Sequence, residues 1–303
     1  MPTGFKPLAM ARIYLIDGTY ELFRAHYGAP RKQNKRGREV GASIGFIKSM
    51  LALIRDEEVT HLACAFDHVV ESFRNELFEG YKSGADVEPE LLDQFELVEL
   101  AASALGVVVW PMIRYEADDA LATAAARWAQ DEEVEQIVIC SPDKDLAQCV
   151  SGSKVVCLDR RKRKVLDEEG VVARFGITPQ SIPDWLALVG DAADGFPGIP
   201  GWGPKSSSTV LGRYRHLEDI PPQPSAWKIT VRGAARLARK LQENLGRALL
   251  FRDLATLRAG VELVEDLDQL RWRGARRGAL KALSAELGEP ALLERVTLWR
   301  AET

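Results

Sequence analysis

Between residues 12 and 159 the chain alternates short β-rich apolar runs with helix-length segments, and this alternation limits it to few architectures. The runs at 12–17, 60–66, 107–110, 135–141 and 154–159 read as strands, being rich in Val, Ile, Tyr and Phe. Between them, 41–55, 91–105 and 116–129 carry apolar residues at three- and four-residue spacing, the period of a half-buried helix. Strand–helix alternation of this kind predicts an α/β fold, a mostly parallel sheet with helices on both faces.

Carboxylates sit where such runs end. Asp17 follows ARIYLI, Asp67 follows THLACAF, Glu116, Asp118 and Asp119 follow VVVWPMIRY, and Asp143 and Asp145 follow EQIVICSP. Asp191 and Asp194 come later, in VGDAADGFPG. In an open parallel sheet the carboxyl ends of the strands line one crevice, where ligands bind. Nine acids gathered there would repel each other unless hard cations held them. The pattern predicts a two-Mg²⁺ site that cleaves phosphodiesters, with Mn²⁺ able to substitute. Each cluster also has a purely structural reading. Acids in the first turn of a helix favour its positive end, and an Asp-x-Asp can form an Asx turn. Asp17 and Asp67 fit such readings less well, since Asp is uncommon in strands.

Net charge is −4. With the nine acids set aside, the rest of the surface is positive and includes the runs 160–164 and 271–277. An acidic pocket within a basic surface suits a metal-dependent enzyme acting on a polyanion. The 160–164 run is either a DNA-facing hairpin or a solvated charge run. Cys64, Cys140, Cys149 and Cys157 lack CxxC spacing and read as buried thiols. His68 adjoins Asp67 but reads as a satisfied or surface histidine. No apolar run reaches the ~20 residues of a membrane span, and the first ten residues lack the apolar stretch of a signal peptide, so a cytoplasmic protein is expected.

Past residue 160, helical patterns dominate at 167–176, 181–190, 205–213, 231–256 and 275–299. Two bodies are expected: a nuclease core at 11–166 and a helical lobe at 167–303. The polar stretch 72–90, opening from the Asp67 strand end, reads as a lid or substrate gate, or else as an ordinary surface helix with a loop. In the lobe, Gly198, Gly201 and Gly203 lead into a helix that begins near Pro204, with Lys205 and Ser206 on its first turn. Free backbone N–H groups at a positive helix end read either as a phosphate-backbone grip that is blind to base sequence or as a plain Gly-rich turn. A Walker loop is excluded, because GxxxxGK[ST] is absent. Trp202, between two glycines, reads as exposed and able to touch DNA sugar or a partner.

The stretches YLIDGTYELFRA, FDHVVESFRNELFEGYKS, YEADDALA, SPDKDLAQ, LVGDAADGFPGIPGWGPK and FRDLATL occur in order from about residue 13 to 298. In content and spacing the chain resembles the 5′-nuclease (flap endonuclease) superfamily, most closely the N-terminal 5′→3′ exonuclease domain of bacterial DNA polymerase I. The resemblance implies a PIN-like or resolvase-like core, a helical arch at about 72–95 and a helix–three-turn–helix DNA-binding element at about 184–213. It implies that Asp17, Asp67, Glu116 and Asp118 surround a first metal, and that Asp119, Asp143, Asp145, Asp191 and Asp194 complete a second. Lys82 and Arg74 would lie on the arch as catalytic cations, with Lys82 aimed at the scissile phosphate. Arg24, Gly198, Gly201, Gly203, Lys205 and Ser206 would contact DNA, and a K⁺ could bind the helix–three-turn–helix element.

The implied activity is hydrolysis of DNA phosphodiesters to 5′-phosphate and 3′-hydroxyl products, both as a 5′→3′ exonuclease and at flaps, in replication and repair. The partner would be branched, nicked or 5′-ended duplex DNA, and the protein a monomer of the bacterial cytosol and nucleoid, not of a membrane. Two other readings stay open: a non-catalytic junction-binding protein, and a ribonuclease of similar architecture. The chain departs from the family pattern at Ser83-Gly84-Ala85, where an arginine is usual two residues after Lys82, and at Ile44, where an aromatic is usual. Gly195 stands for an Asn, and Gly201-Trp-Gly203-Pro-Lys205-Ser for the usual GxGEKT.

Overall fold

The computed structural model describes residues 10–57 and 59–301. In chain order its first half comprises β1 (Ala11–Asp17), α1 (Gly18–Gly28), α2 (Gly41–Asp56), β2 (His61–Asp67), α3 (Phe73–Leu77), α4 (Pro89–Leu92), α5 (Phe95–Ala104), β3 (Val108–Met112), α6 (Ala117–Trp128), β4 (Val134–Cys140), β5 (Val155–Asp159) and β6 (Lys164–Leu166). Every strand predicted from sequence is present within a residue or two. Helix α1 was not foreseen, because it follows β1 with no loop: Asp17 ends the strand and caps the helix through Tyr20 N–H.

The strands form one sheet in the order β3-β2-β1-β4-β5-β6, parallel except for the final β5–β6 hairpin. Strand order reverses at β1, which lies between β2 and β4. A doubly wound sheet opens its crevice at that switch point, beyond the carboxyl ends of the strands. Alternate residues feed two cores. Ile13, Leu15, Ala65, Ile137 and Ile139 face α6 and the helical lobe. Tyr14, Ile16, Cys64, Phe66 and Val138 face α2 and α5. Burial on both faces explains why the strands read as continuous apolar runs. Cys64, Cys140 and Cys157 are buried in them, as expected.

The second half adds α7 (Glu168–Phe175), α8 (Ile182–Val189), α9 (Pro204–Tyr214), α10 (Ala234–Glu243), α11 (Leu245–Ala255) and α12 (Arg277–Glu286). The long helix predicted at 231–256 is interrupted at Asn244, which leaves helical backbone angles and separates α10 from α11. After residue 270 the chain leaves the lobe and returns to the sheet. Trp272 N–H donates to the Thr60 carbonyl, and Leu280, Leu283, Leu287 and Leu292 are buried against the α2–α5 face. Residues 167–303 therefore contribute to both bodies. Among the described residues no helix is long and apolar enough to cross a membrane.

Candidate active site

The crevice is built by side chains that hold the strand ends together. Asp17, at the end of β1, accepts from Tyr20 N–H and Ser141 Oγ, both at 2.8 Å, and so ties β1 to the end of β4. Asp67, at the end of β2, accepts from Ala117 N–H at 2.7 Å, which fixes the start of α6 beside it. Glu116 caps α6, and Asp118 stands in its first turn. Past β4, Asp145 N–H donates to Asp143 Oδ1 at 2.9 Å, the Asx turn that the spacing allowed. Asp191 and Asp194 lie on a tight turn closed by two bonds between Asp191 and Phe196, of 2.8 and 3.0 Å.

These elements bring eight of the nine predicted acids around one pocket, in two overlapping groups. Asp17, Asp67, Asp118 and Asp143 feel one another's charge. Burial first, then Asp67 and Asp143, push the Asp17 carboxyl up to about 7, against the opposing Tyr20 and Ser141 bonds. Burial and then Asp17 and Asp143 raise Asp118 well above the carboxylate range. In the second group, carboxylate oxygens of Asp145, Asp191 and Asp194 lie within 4.8 Å of one another. Burial, then Asp143 and Asp194, raise Asp145 well above its ordinary value. Glu116 differs: burial opposes its ionisation, yet Lys82, Arg74 and the Ser72 hydroxyl outweigh it and hold this carboxyl below the usual range.

The donor set suits a hard divalent cation. It is all carboxylate and buried, its acids outnumber the cations that reach it, and among the described residues Asp145 Oδ1 has no hydrogen-bond partner. Two lysines reach in. Lys82 Nζ sits 2.9 Å from Glu116 and 3.1 Å from Asp194, and Lys144 Nζ pairs with Asp191 and lies 3.7 Å from Asp145.

Two residues predicted for the catalytic pocket, Arg74 and Asp119, are instead paired with each other beneath it, with Arg74 3.4 Å from Glu116. Arg74 does not line the arch as a free cation. It is 1% exposed and donates both terminal nitrogens to Asp119 at 2.7 Å and Nε to the Leu254 carbonyl at 2.8 Å. Asp119, fully buried, also accepts from Glu116 N–H at 3.0 Å and Arg258 N–H at 2.8 Å. Four donors saturate this carboxylate, so Asp119 is a structural cap rather than a metal ligand. The pair rivets α3 and α6 to the end of α11.

The 72–95 segment is less helical than expected. Helix α3 has five residues, and the chain then turns over the pocket. Gly195 explains how the turn is seated. A Cβ there would lie 2.1 Å from the Gly80 carbonyl oxygen, and its φ is +85°. The glycine lets the segment approach until Lys82 N–H donates to the Asp194 carbonyl at 3.0 Å. Tyr81, unremarked in the sequence, is buried with its hydroxyl 3.3 Å from Glu116. Ser72, Ser141 and Lys144 were also missed. Only Lys144, flanked by two aspartates, carried a signal in the sequence. His68 is satisfied by Glu99 at 2.9 Å, away from the pocket.

In the lobe, a glycine-rich turn joins α8 to α9. Gly198 (φ +71°) is buried against Gly190, leaving no room for a Cβ, so it shapes the turn without presenting itself to DNA. Gly201 and Lys205 are exposed, whereas the Ser206 hydroxyl is spent on Gly203 N–H and carbonyl at the start of α9. Trp202 is not exposed. It is buried, donates Nε1–H to the Leu237 carbonyl at 3.2 Å and packs on Trp227. Arg24 spends its guanidinium on Glu21 and Ser49, holding α1 against α2. In the 160–164 run, Arg160 pairs with Glu21 at 3.0 Å while 161–164 are exposed.

Comparison with known proteins agrees with this geometry. Residues 12–176 match the N-terminal resolvase-like domain of 5′-3′ exonucleases, and 177–278 match their C-terminal SAM fold. The chain is 32% identical over 291 residues to DNA polymerase I of Bacillus caldotenax, covering 94% of this chain and 32% of that protein. It is 33% identical over 212 residues to a 5′-3′ exonuclease of Aquifex aeolicus, covering 70% of this chain and 72% of that protein. It thus spans about a third of the length of the DNA polymerase I relatives it matches. The bacteriophage T5 D15 flap endonuclease, solved in a pseudo-enzyme-product complex with DNA and metal ions, superposes with TM-score 0.62 at 16% identity, covering 94% of this chain and 96% of that one. At that identity the likeness speaks for the fold. Fold, order of motifs and sequence identity together make the chain a member of the 5′-3′ exonuclease family.

Proposed function

We propose that the protein is a Mg²⁺-dependent, structure-specific 5′ nuclease that cuts DNA as a 5′→3′ exonuclease and at flaps, leaving 5′-phosphate and 3′-hydroxyl ends. The observation that carries this reading is the convergence of Asp17, Asp67, Glu116, Asp118, Asp143, Asp145, Asp191 and Asp194 on one crevice roofed by Lys82. Asp17, Asp67, Asp118 and Asp143 would hold one cation, and Asp145, Asp191 and Asp194 a second. Bound there, divalent cations supply charge neutralisation at the phosphate and ease deprotonation of the attacking water.

The protein's own part is positioning. Glu116 and Asp194 hold the Lys82 ammonium at the mouth of the pocket, where it can meet a phosphate oxygen and stabilise charge that develops in the transition state. Glu116 is in turn fixed by Ser72 at 2.6 Å and by Tyr81. The 198–203 turn, with Lys205 on the first turn of α9, would grip duplex phosphates without reading bases. A K⁺ in that turn belongs to the same proposal and rests on family likeness alone.

The test is cleavage of a 5′-labelled double-flap DNA with Mg²⁺, beside Asp118→Asn and an EDTA control. Cutting near the junction that is lost in both controls is expected. Tight binding without cutting, in Mg²⁺ and in Mn²⁺, would favour a junction-binding protein. Preferential cutting of an RNA flap in competition would favour a ribonuclease.

A further inference from the structure

The two halves of the acid pocket are not equivalent. Among the described residues, Asp17, Asp67, Asp118 and Asp143 form no ion pair with any lysine or arginine, although Lys82 is near enough to offset part of the charge on Asp67 and Asp118. Asp145 and Asp191, by contrast, share the Lys144 ammonium, and Asp194 holds that of Lys82. The two lysines are also tethered differently. Lys82 is clamped, with its backbone N–H on the Asp194 carbonyl and its ammonium between two carboxylates. Lys144 is held through its ammonium and, at the backbone, within its own local turn, where its carbonyl accepts from Ala147 N–H at 3.1 Å; it sits in the loop between β4 and the 145–149 turn, with a side chain about as exposed as that of Lys82, 30% against 33%. A flexible four-carbon stem can swing such a group outward without moving the backbone.

We propose that Lys144 is an internal cation plug that occupies the second metal position until a substrate phosphate draws it away. A cation approaching Asp17, Asp67, Asp118 and Asp143 displaces nothing. A cation approaching Asp145 and Asp191 must displace an ammonium that is bonded to Asp191 and lies 3.7 Å from Asp145. DNA in the crevice offers Lys144 phosphate oxygens instead, which frees the two carboxylates. Binding of DNA and of the second cation is then coupled, and by linkage each strengthens the other to the same degree. The enzyme is fully loaded only on its substrate. This deepens the metal-dependent nuclease reading and rests on it.

The test is titration of the whole chain with Mn²⁺ in the absence of DNA, followed by the electron-paramagnetic signal of free Mn²⁺ and by calorimetry. Wild type, Lys144→Met and Lys144→Arg are compared, with thermal melts confirming that each is folded. Wild type should bind one Mn²⁺ clearly more tightly than the second. Lys144→Met should bind the second at least tenfold more tightly than wild type does, and Lys144→Arg should resemble wild type. With Ca²⁺ as a probe that need not support hydrolysis, flap DNA should tighten the second site in wild type and not in Lys144→Met. Identical two-site isotherms in wild type and Lys144→Met would overturn the plug while leaving the nuclease reading intact. No Mn²⁺ uptake by any of the three would overturn that reading, and the plug with it.

Discussion

Replacing Arg74 by Ala separates a structural role from a catalytic one. Arg74 donates twice to Asp119 at 2.7 Å, once to the Leu254 carbonyl at 2.8 Å and once to the Thr256 carbonyl at 3.2 Å, in a site closed to solvent. Truncation leaves Asp119 buried with only the two backbone donors of Glu116 and Arg258, and leaves two carbonyls without partners. Breaking one side of a buried pair costs about 3–5 kcal/mol. That is a large share of a typical stability of ~5–15 kcal/mol. At about 2–4 °C per kcal/mol, the melting midpoint should fall by roughly 6–20 °C. The assay is thermal melting and urea unfolding of wild type, Arg74→Ala, Asp119→Ala and the double variant. The double variant should lose less than the sum of the singles, because the second change removes an already orphaned partner. An Arg74→Ala protein that melts like wild type yet fails to cleave would refute this reasoning and return Arg74 to the phosphate.

Three further outcomes are expected. The Asp17 carboxyl, pushed up to about 7, favours the protonated fold, so its contribution to stability is full below the ordinary carboxylate pKa and is lost as pH rises towards 7. The metal-free protein should therefore need less urea to unfold at about pH 8 than at about pH 5.5, and excess Mg²⁺ should abolish the difference; a flat metal-free profile counts against it. Gly195→Ala would place a methyl 2.1 Å from the Gly80 carbonyl and push the Lys82 turn off the pocket. Displacing a positioning group by about 1 Å can cost about 100-fold in rate, so cleavage should collapse while gel-shift affinity for flap DNA holds; unchanged cleavage would mean that the turn has slack. Trp202→Ala should destabilise the protein by about 3–5 kcal/mol in urea unfolding. Lost DNA affinity at unchanged stability would instead restore the exposed reading of Trp202.

What local chemistry dictates was legible in the chain. The strands, most helices, the Asx turn at Asp143 and the cap at Glu116 depend on neighbours within a few residues. The crevice acids followed from topology, because in a parallel sheet strand ends lie together wherever the strands are in sequence. What failed were the side chains whose direction is set by distant packing. Asp118 and Asp119 are adjacent and alike in sequence. Successive helix residues point about 100° apart, so one faces the acid pocket and its neighbour lies beneath Arg74. Arg74, read as a cation on an exposed arch, is buried because α3 docks on α6 and α11, contacts 45 and 180 residues away. Trp202 is exposed by every local rule and buried by Trp227 and Leu237. Lys144 stood in plain view between two aspartates, but its pairing with Asp191, 47 residues on, existed only once the 191–196 turn came to rest against the β4 loop. Strand pattern and topology name the groups that gather at the crevice. Which of them stay free to bind is settled by long-range packing, because it selects the partner that each charge finds first.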